Sequence, residues 1–237
     1  MMVPQQHFAK VGLPLAISAV IAAMFGMLLS APGRAQTTAA EARQLLQTYV
    51  EAHNSHALDE VMQLYSDDAV FYLNSGRGPV RGRQQIRELE LFDTVAGSTI
   101  YPQGLTFAEQ ADGWAVAISG ALEHSEIFAA FGVAIVLAEP IREAFFLANG
   151  QIIEVHQPEL APACREVVLA GFVGLTDWLR RADPERAAVL TRAGRIHLTP
   201  ATIPDVIAAI GDWRSATGWA PARSAVSACA GFTLDAP

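Results

Sequence analysis

With 237 residues, 51% of them hydrophobic and 17% charged, the chain is too apolar to be disordered and long enough for one domain with additions or two small domains. Its formal net charge of -8, with no basic run or aromatic-and-basic stripe to offset it, excludes nucleic-acid binding, because a phosphate backbone would be repelled. Lys10 is the only lysine, so a chain that loses its N-terminal segment has no lysine amine for Schiff-base or pyridoxal chemistry.

Residues 1–35 read as an address rather than as fold. Lys10 precedes the apolar stretch VGLPLAISAVIAAMFGMLLS, and the exit APGRAQ offers Gly33 and Ala35 at the spacing a signal peptidase accepts. Cleavage would place the mature chain in the periplasm or outside the cell. The alternative is an uncleaved anchor through residues 11–30, since roughly 20 apolar residues suffice to cross a bilayer. Gly12 and Pro14 early in the run favour cleavage, and no cysteine follows the run to carry a lipid.

Thr38 and Glu41 have the spacing of a capping box, and Ala42, Leu45, Leu46, Tyr49 and Val50 fall on one helical face, which predicts a helix over 38–53. HNSH breaks it. Leu58, Val61, Met62 and Tyr65 restart the period for a shorter helix that Asp67 and Asp68 end. AVFYLN reads as a strand, SGRGP as a turn, and VRGRQQIRELELFDTV as a third helix with Ile86, Leu89, Leu91 and Phe92 inward. From Ser98 the period is two: STIYPQGLTFAEQ, WAVAISGALEH, IREAFFLANG and QIIEVHQPEL are strand-like, joined by tight turns at Ala111 to Gly113 and Asn149 to Gly150. HSEIFAAFGVAIVLAEP fits either a longer strand or a short inserted helix.

The run YVEAHNSHALDEVMQLYSDDAVF followed by GRGPVRGRQQIREL resembles the N-terminal half of the nuclear transport factor 2-like superfamily, which includes SnoaL-like cyclases, ketosteroid isomerases and limonene-epoxide hydrolases. The resemblance covers residues 38–160 and closes on GQIIEV. It implies an α+β fold over residues 36–160, a cone-shaped, curved antiparallel sheet covered by three N-terminal helices. It also implies an apolar cavity and, commonly, a homodimer through the outer sheet face.

Residues 161–217 exceed what that fold needs and read as a helical extension. REVVLAGFVGLTDWLRRAD carries the stripe Val168, Phe172, Leu175, Leu179; PERAAVLTRAG starts at Asp183-Pro184 and ends at Gly194; TIPDVIAAIGDWRSAT carries Ile207, Ile210 and Trp213. Residues 218–237, rich in Ala, Pro, Ser and Gly, read as a flexible tail unless Cys229 ties it down. Cys164 and Cys229 are either a bridge, as an oxidising compartment permits, or two buried thiols.

The family's functional residues carry over poorly. Tyr49 stands where the resemblance places the isomerase's oxyanion donor, but Leu73 occupies the place of the base and Arg142 that of the protonated acid. Leucine takes no proton and a guanidinium stays charged, so isomerase chemistry of that type is not expected. The epoxide hydrolase set would fall near Gln157, His124 and Glu126. The expectation is therefore an exported protein that binds a small apolar molecule, lined by Tyr49, Tyr65, Phe71, Phe92 and Gln157. The alternatives are an isomerase or hydrolase using His124, Glu126 or Asp93, and a dimerising interaction module. No cofactor is implied, and no metal: His53 and His56 read as part of a turn, with His124 and His156 elsewhere. No Gly-x-Ser-x-Gly elbow or phosphate loop is present.

Overall fold

The computed structural model describes residues 37–74 and 78–230. The export signal expected over residues 1–35, residues 75–77 of the SGRGP turn and residues 231–237 of the tail lie outside the described residues. Among the described residues no helix is long and apolar enough to cross a membrane.

Thr38 caps α1 (Ala39–Asn54) through the expected box: its hydroxyl accepts from the Glu41 amide at 3.3 Å, and its own amide donates to Glu41 Oε2 at 2.7 Å. The stripe Ala42, Leu45, Leu46 and Tyr49 is buried as its spacing requires. α2 (Leu58–Leu64) buries Val61 and Met62 but stops one residue before Tyr65, which opens β1 (Tyr65–Tyr72). Asp67 and Asp68 thus lie exposed within a strand and do not end a helix. The register of β1 against its partner shifts between Tyr65 and Val70, and the adjacent residues Tyr65 and Ser66 are both buried. The first residues of the expected third helix form β2 (Pro79–Arg81), antiparallel to β1, and α3 runs over Arg83–Val95.

Each of the two long period-two segments is broken in two. β3 (Thr99–Gln103) and β4 (Thr106–Gln110) are separated at Gly104, and β5 (Gly113–Ile118) and β6 (Gly120–His124) at Ser119. Gly104 takes φ +56° hard against the Ser119 side chain, where a Cβ would clash, and the Ser119 amide donates to the Gln103 carbonyl at 2.8 Å. This bend splits the hairpin between sheets. The ambiguous segment that follows holds both a short helix, α4 (Glu126–Ala130), and a strand, β7 (Val136–Ala138). β8 (Ile141–Ala148) and β9 (Gln151–His156) form the hairpin that completes the larger sheet.

The larger sheet has the order β2-β1-β9-β8-β5-β4 and the smaller β3-β6-β7; all pairs are antiparallel except β1 with β9. The result is the expected α+β fold, a curved sheet covered by helices. Its core joins Leu46 and Ile86 of the helices to Tyr65, Val116, Leu147 and Ile152 of the strands. One expected alternation fails: Phe146 pairs with Glu154 but Leu147 with Ile152, so Ile153 is a bulge. Ile152 and Val155 both point to the core, and Gln157 is exposed.

The extension comprises α5 (Pro162–Ala182), α6 (Pro184–Leu190), a hairpin of β10 (Thr191–Arg192) and β11 (Arg195–Ile196), α7 (Ile203–Thr217) and α8 (Arg223–Ala230). The middle helix ends at Leu190 and Gly194 serves the hairpin turn. Leu175, Leu179, Leu190, Ile203, Ile210 and Trp213 form a core that also takes in Phe131, after α4, and Ala96, after α3. Cys164 and Cys229 are bridged, with Cα atoms 4.5 Å apart. Residues 223–230, expected to belong to a flexible tail, are therefore helical and tied to α5.

Candidate functional site

The interior of the curved sheet is not wholly apolar. On α1, His53 follows Tyr49 by four residues and so lies on the same inward face, the two ring centroids 5.8 Å apart. On α3, Glu90 and Asp93 follow the buried Ile86 by four and seven residues, which gives them that helix's inward stripe. Tyr65 enters from β1 and Glu123 from β6. Glu90 is the hub. Its Oε1 accepts from the Tyr65 hydroxyl at 2.7 Å and the Tyr49 hydroxyl at 3.2 Å, and its Oε2 lies 3.1 Å from His53 Nδ1. Tyr49, His53, Tyr65 and Glu90 are all buried, while Asp93 and Glu123 are partly buried. Ser98 Oγ lies 3.5 Å from Glu123 Oε1, and the Asp93 carboxyl has no hydrogen bond among the described residues.

Burial decides the electrostatics. Asp93 is pushed up to about 8 by burial first and by the charge of Glu90 next, with His53 pulling the other way. Glu123 is pushed up to about 7 by burial, against the lowering effects of His53 and the Ser98 hydroxyl. Burial pushes the His53 imidazole down, but the hydrogen bond and charge of Glu90, with Asp93 and Glu123 behind it, outweigh this and leave it raised. Both phenols are raised well above the ordinary tyrosine range, by burial and then by the Glu90 charge, and stay protonated donors. Two hydroxyl donors, an imidazole and three carboxyls in unlike environments can hold and pass protons near neutral pH. His53, Glu90 and Asp93 also each present one ligand atom, all within 4.8 Å of one another.

The sequence-derived candidates divide accordingly. Tyr49, Tyr65 and Asp93 meet at this site. Phe71 packs against the edge of the same core. Phe92 does not line it: two residues beyond Glu90, the helix has turned by about 200° and carries Phe92 into the extension's core. Gln157 has the parity of the buried Val155 but lies one residue past the end of β9, and it is exposed there. His124 lies opposite Glu123 across the strand and its Nδ1 meets the Ala134 carbonyl at 2.5 Å, while Glu126 is exposed at the start of α4. Neither joins the cluster, since the strand ends between them. Leu73 and Arg142, which the resemblance aligns with a base and a protonated acid, are not among the residues of the cluster either, and Arg142 is exposed.

Sequence reasoning missed Glu90, Glu123 and His53. The signal for Glu90 was its spacing from Ile86, masked by the adjacent apolar residues Leu89 and Leu91. His53 was assigned to the break after α1, but the helix runs on to Asn54, and only His56 sits in the turn, at φ 58° with Nε2 3.0 Å from the Ser98 carbonyl.

No family model and no curated protein matches the sequence. Solved structures do. An LEH-like epoxide hydrolase from M. tuberculosis is similar at 17% identity over 58% of this chain and 96% of its own, with a TM-score of 0.40. A SnoaL-like protein of unknown function from Burkholderia thailandensis is similar at 14% identity over 53% of this chain and 98% of its own, with a TM-score of 0.35. An NTF2-like protein of unknown function from Cytophaga hutchinsonii is similar at 12% identity over 51% of this chain and 89% of its own, with a TM-score of 0.32. The chain is thus similar in structure to SnoaL-like and NTF2-like proteins.

Proposed function

We propose that the chain is a SnoaL-like enzyme that takes a small, mostly apolar molecule against the cluster around Glu90 and catalyses a proton transfer there, as an isomerase or an epoxide-opening hydrolase. The observation that carries this reading is the convergence of Tyr49, Tyr65 and His53 on one buried carboxylate, with Asp93 and Glu123 beside it. A fold needs no such arrangement, because apolar residues fill the same volume at lower desolvation cost. In the proposed roles the phenols hold and polarise the substrate's oxygen, and a carboxyl of the cluster accepts or delivers the proton. The cluster differs from the ketosteroid isomerase set in position, which accounts for the unsuitable residues at 73 and 142. Export by the N-terminal segment would put this chemistry in the periplasm or outside the cell.

The test is isotopic and needs no known substrate. The protein is incubated in deuterated or heavy-oxygen water with a panel of unsaturated ketones and terpenoid epoxides, and the products are weighed by mass spectrometry. Deuterium at a carbon beside the carbonyl, or heavy oxygen in an opened epoxide, is expected, falling at least about a hundredfold in Glu90→Gln. No label in any compound, with a copurified apolar molecule retained in native mass spectrometry, would leave a binding protein instead. That second reading draws on the fact that every oxygen of Glu90 already has a partner.

A further inference from the structure

We propose that His53, Glu90 and Asp93 form a binding site for one divalent transition-metal ion; this rests on the reading of the same cluster as the working site. The geometry is close to what coordination requires. Metal bonds to imidazole nitrogen and carboxylate oxygen run about 2.0 to 2.2 Å, which sets neighbouring ligand atoms about 3 Å apart and opposite ones a little over 4 Å. His53 Nδ1 and Glu90 Oε2 are 3.1 Å apart, and one ligand atom of each of the three residues lies within 4.8 Å of the others. The Asp93 carboxyl, bonded to nothing among the described residues, is free to turn through the remaining few tenths of an ångström. Glu90 keeps Oε1 for the two phenols, which then support the ligand from behind, as hydrogen-bonded carboxylate ligands usually are.

A second observation is the burial of the nitrogen donor among these carboxyls. His53 has a side chain only 5% exposed, and its one hydrogen-bond partner among the described residues is Glu90, through Nδ1, the nitrogen that would face the ion. The donor set, one imidazole nitrogen with carboxylate oxygens, suits Zn2+, Mn2+, Fe2+ or Co2+; magnesium and calcium prefer oxygen alone and Cu+ prefers sulfur.

The test uses the full-length chain without an affinity tag, stripped with EDTA and dialysed. ZnCl2 is titrated in by calorimetry, and CoCl2 is added in parallel while the visible absorption of the ion is recorded. The expected result is one equivalent bound at micromolar affinity or tighter, with a cobalt band displaced by zinc. Asp93→Asn is expected to bind at least tenfold more weakly, and Glu126→Gln to bind as the unaltered chain does. The cobalt band on the unaltered chain stands even where a His53→Gln variant fails to fold. No bound equivalent, or equal binding by Asp93→Asn, would overturn the site, the latter placing the ion at a surface pair such as Glu154 and His156. Isotope incorporation that persists in EDTA, with no metal bound, would sink the metal site while leaving the proton-transfer reading in place.

Discussion

The two interiors of this protein are built on opposite terms. The extension's core is apolar: Leu175, Leu179, Ile203, Ile210 and Trp213 meet with no charged side chain among them, and the one buried hydroxyl, Thr176, is satisfied by the Phe172 carbonyl at 2.7 Å. The sheet's core encloses Glu90, His53 and two phenols. α3 serves both, presenting Glu90 to one side and Phe92 and Val95 to the other. The first interior is what stability alone would select. The second holds a buried carboxylate and imidazole where apolar side chains would cost less desolvation, and the contrast is measurable.

The largest effect belongs to the apolar side. Trp213→Ala should cost about 3 to 5 kcal/mol in denaturant unfolding, because a buried indole stacked on Trp219 leaves a cavity the helices cannot close. That loss should be independent of pH and should leave Asp93's titration unchanged; a shifted titration would mean that the two interiors are one. Next comes the Cys164–Cys229 bridge, which closes a loop with a sequence separation of 65. Its removal by Cys164→Ser with Cys229→Ser should cost about 2 to 4 kcal/mol, read as a lower denaturant midpoint.

Acid–base effects on the polar side come third. Asp93 and Glu123 have folded-state values near 8 and 7 against ordinary values of 3.8 and 4.5, so between those limits the folded chain binds more protons than the unfolded one. Their neutral forms therefore favour the fold fully below about pH 4, and that advantage is lost as pH rises towards 8. The melting temperature of metal-free protein should fall by several degrees from pH 5 to pH 8.5. A flat profile would mean that both carboxyls are ionised and solvated. The smallest effect is expected from His124→Ala and Glu126→Gln, each within about 0.5 kcal/mol in unfolding and without influence on isotope incorporation, since both side chains lie outside the cluster.

Much of the scaffold could be read from residue order. The Thr38–Glu41 cap, the α1 stripe and the Asn149–Gly150 turn each follow from local chemistry and fall where expected. The bend at Gly104 and Ser119 could not be read, because alternation continues unchanged through a strand that swaps sheets. Gln157 lies one residue past the end of β9, where alternation no longer fixes the face of a side chain. The candidate site was the least legible part. A carboxylate at helical spacing among apolar neighbours looks like a solvated charge until the fold brings Tyr49 and Tyr65 to it, and the contact spans 41 residues of chain in one case and 25 in the other.

The most direct test of the polar interior is the thermal unfolding of Asp93→Asn against the unaltered chain at pH 8 in metal-free buffer. An asparagine has no proton to lose, so if Asp93 is a strained, functional carboxyl the variant should melt higher than the parent and show a weaker pH dependence. A variant that melts several degrees lower would contradict this, and would make Asp93 a structural partner of His53 instead.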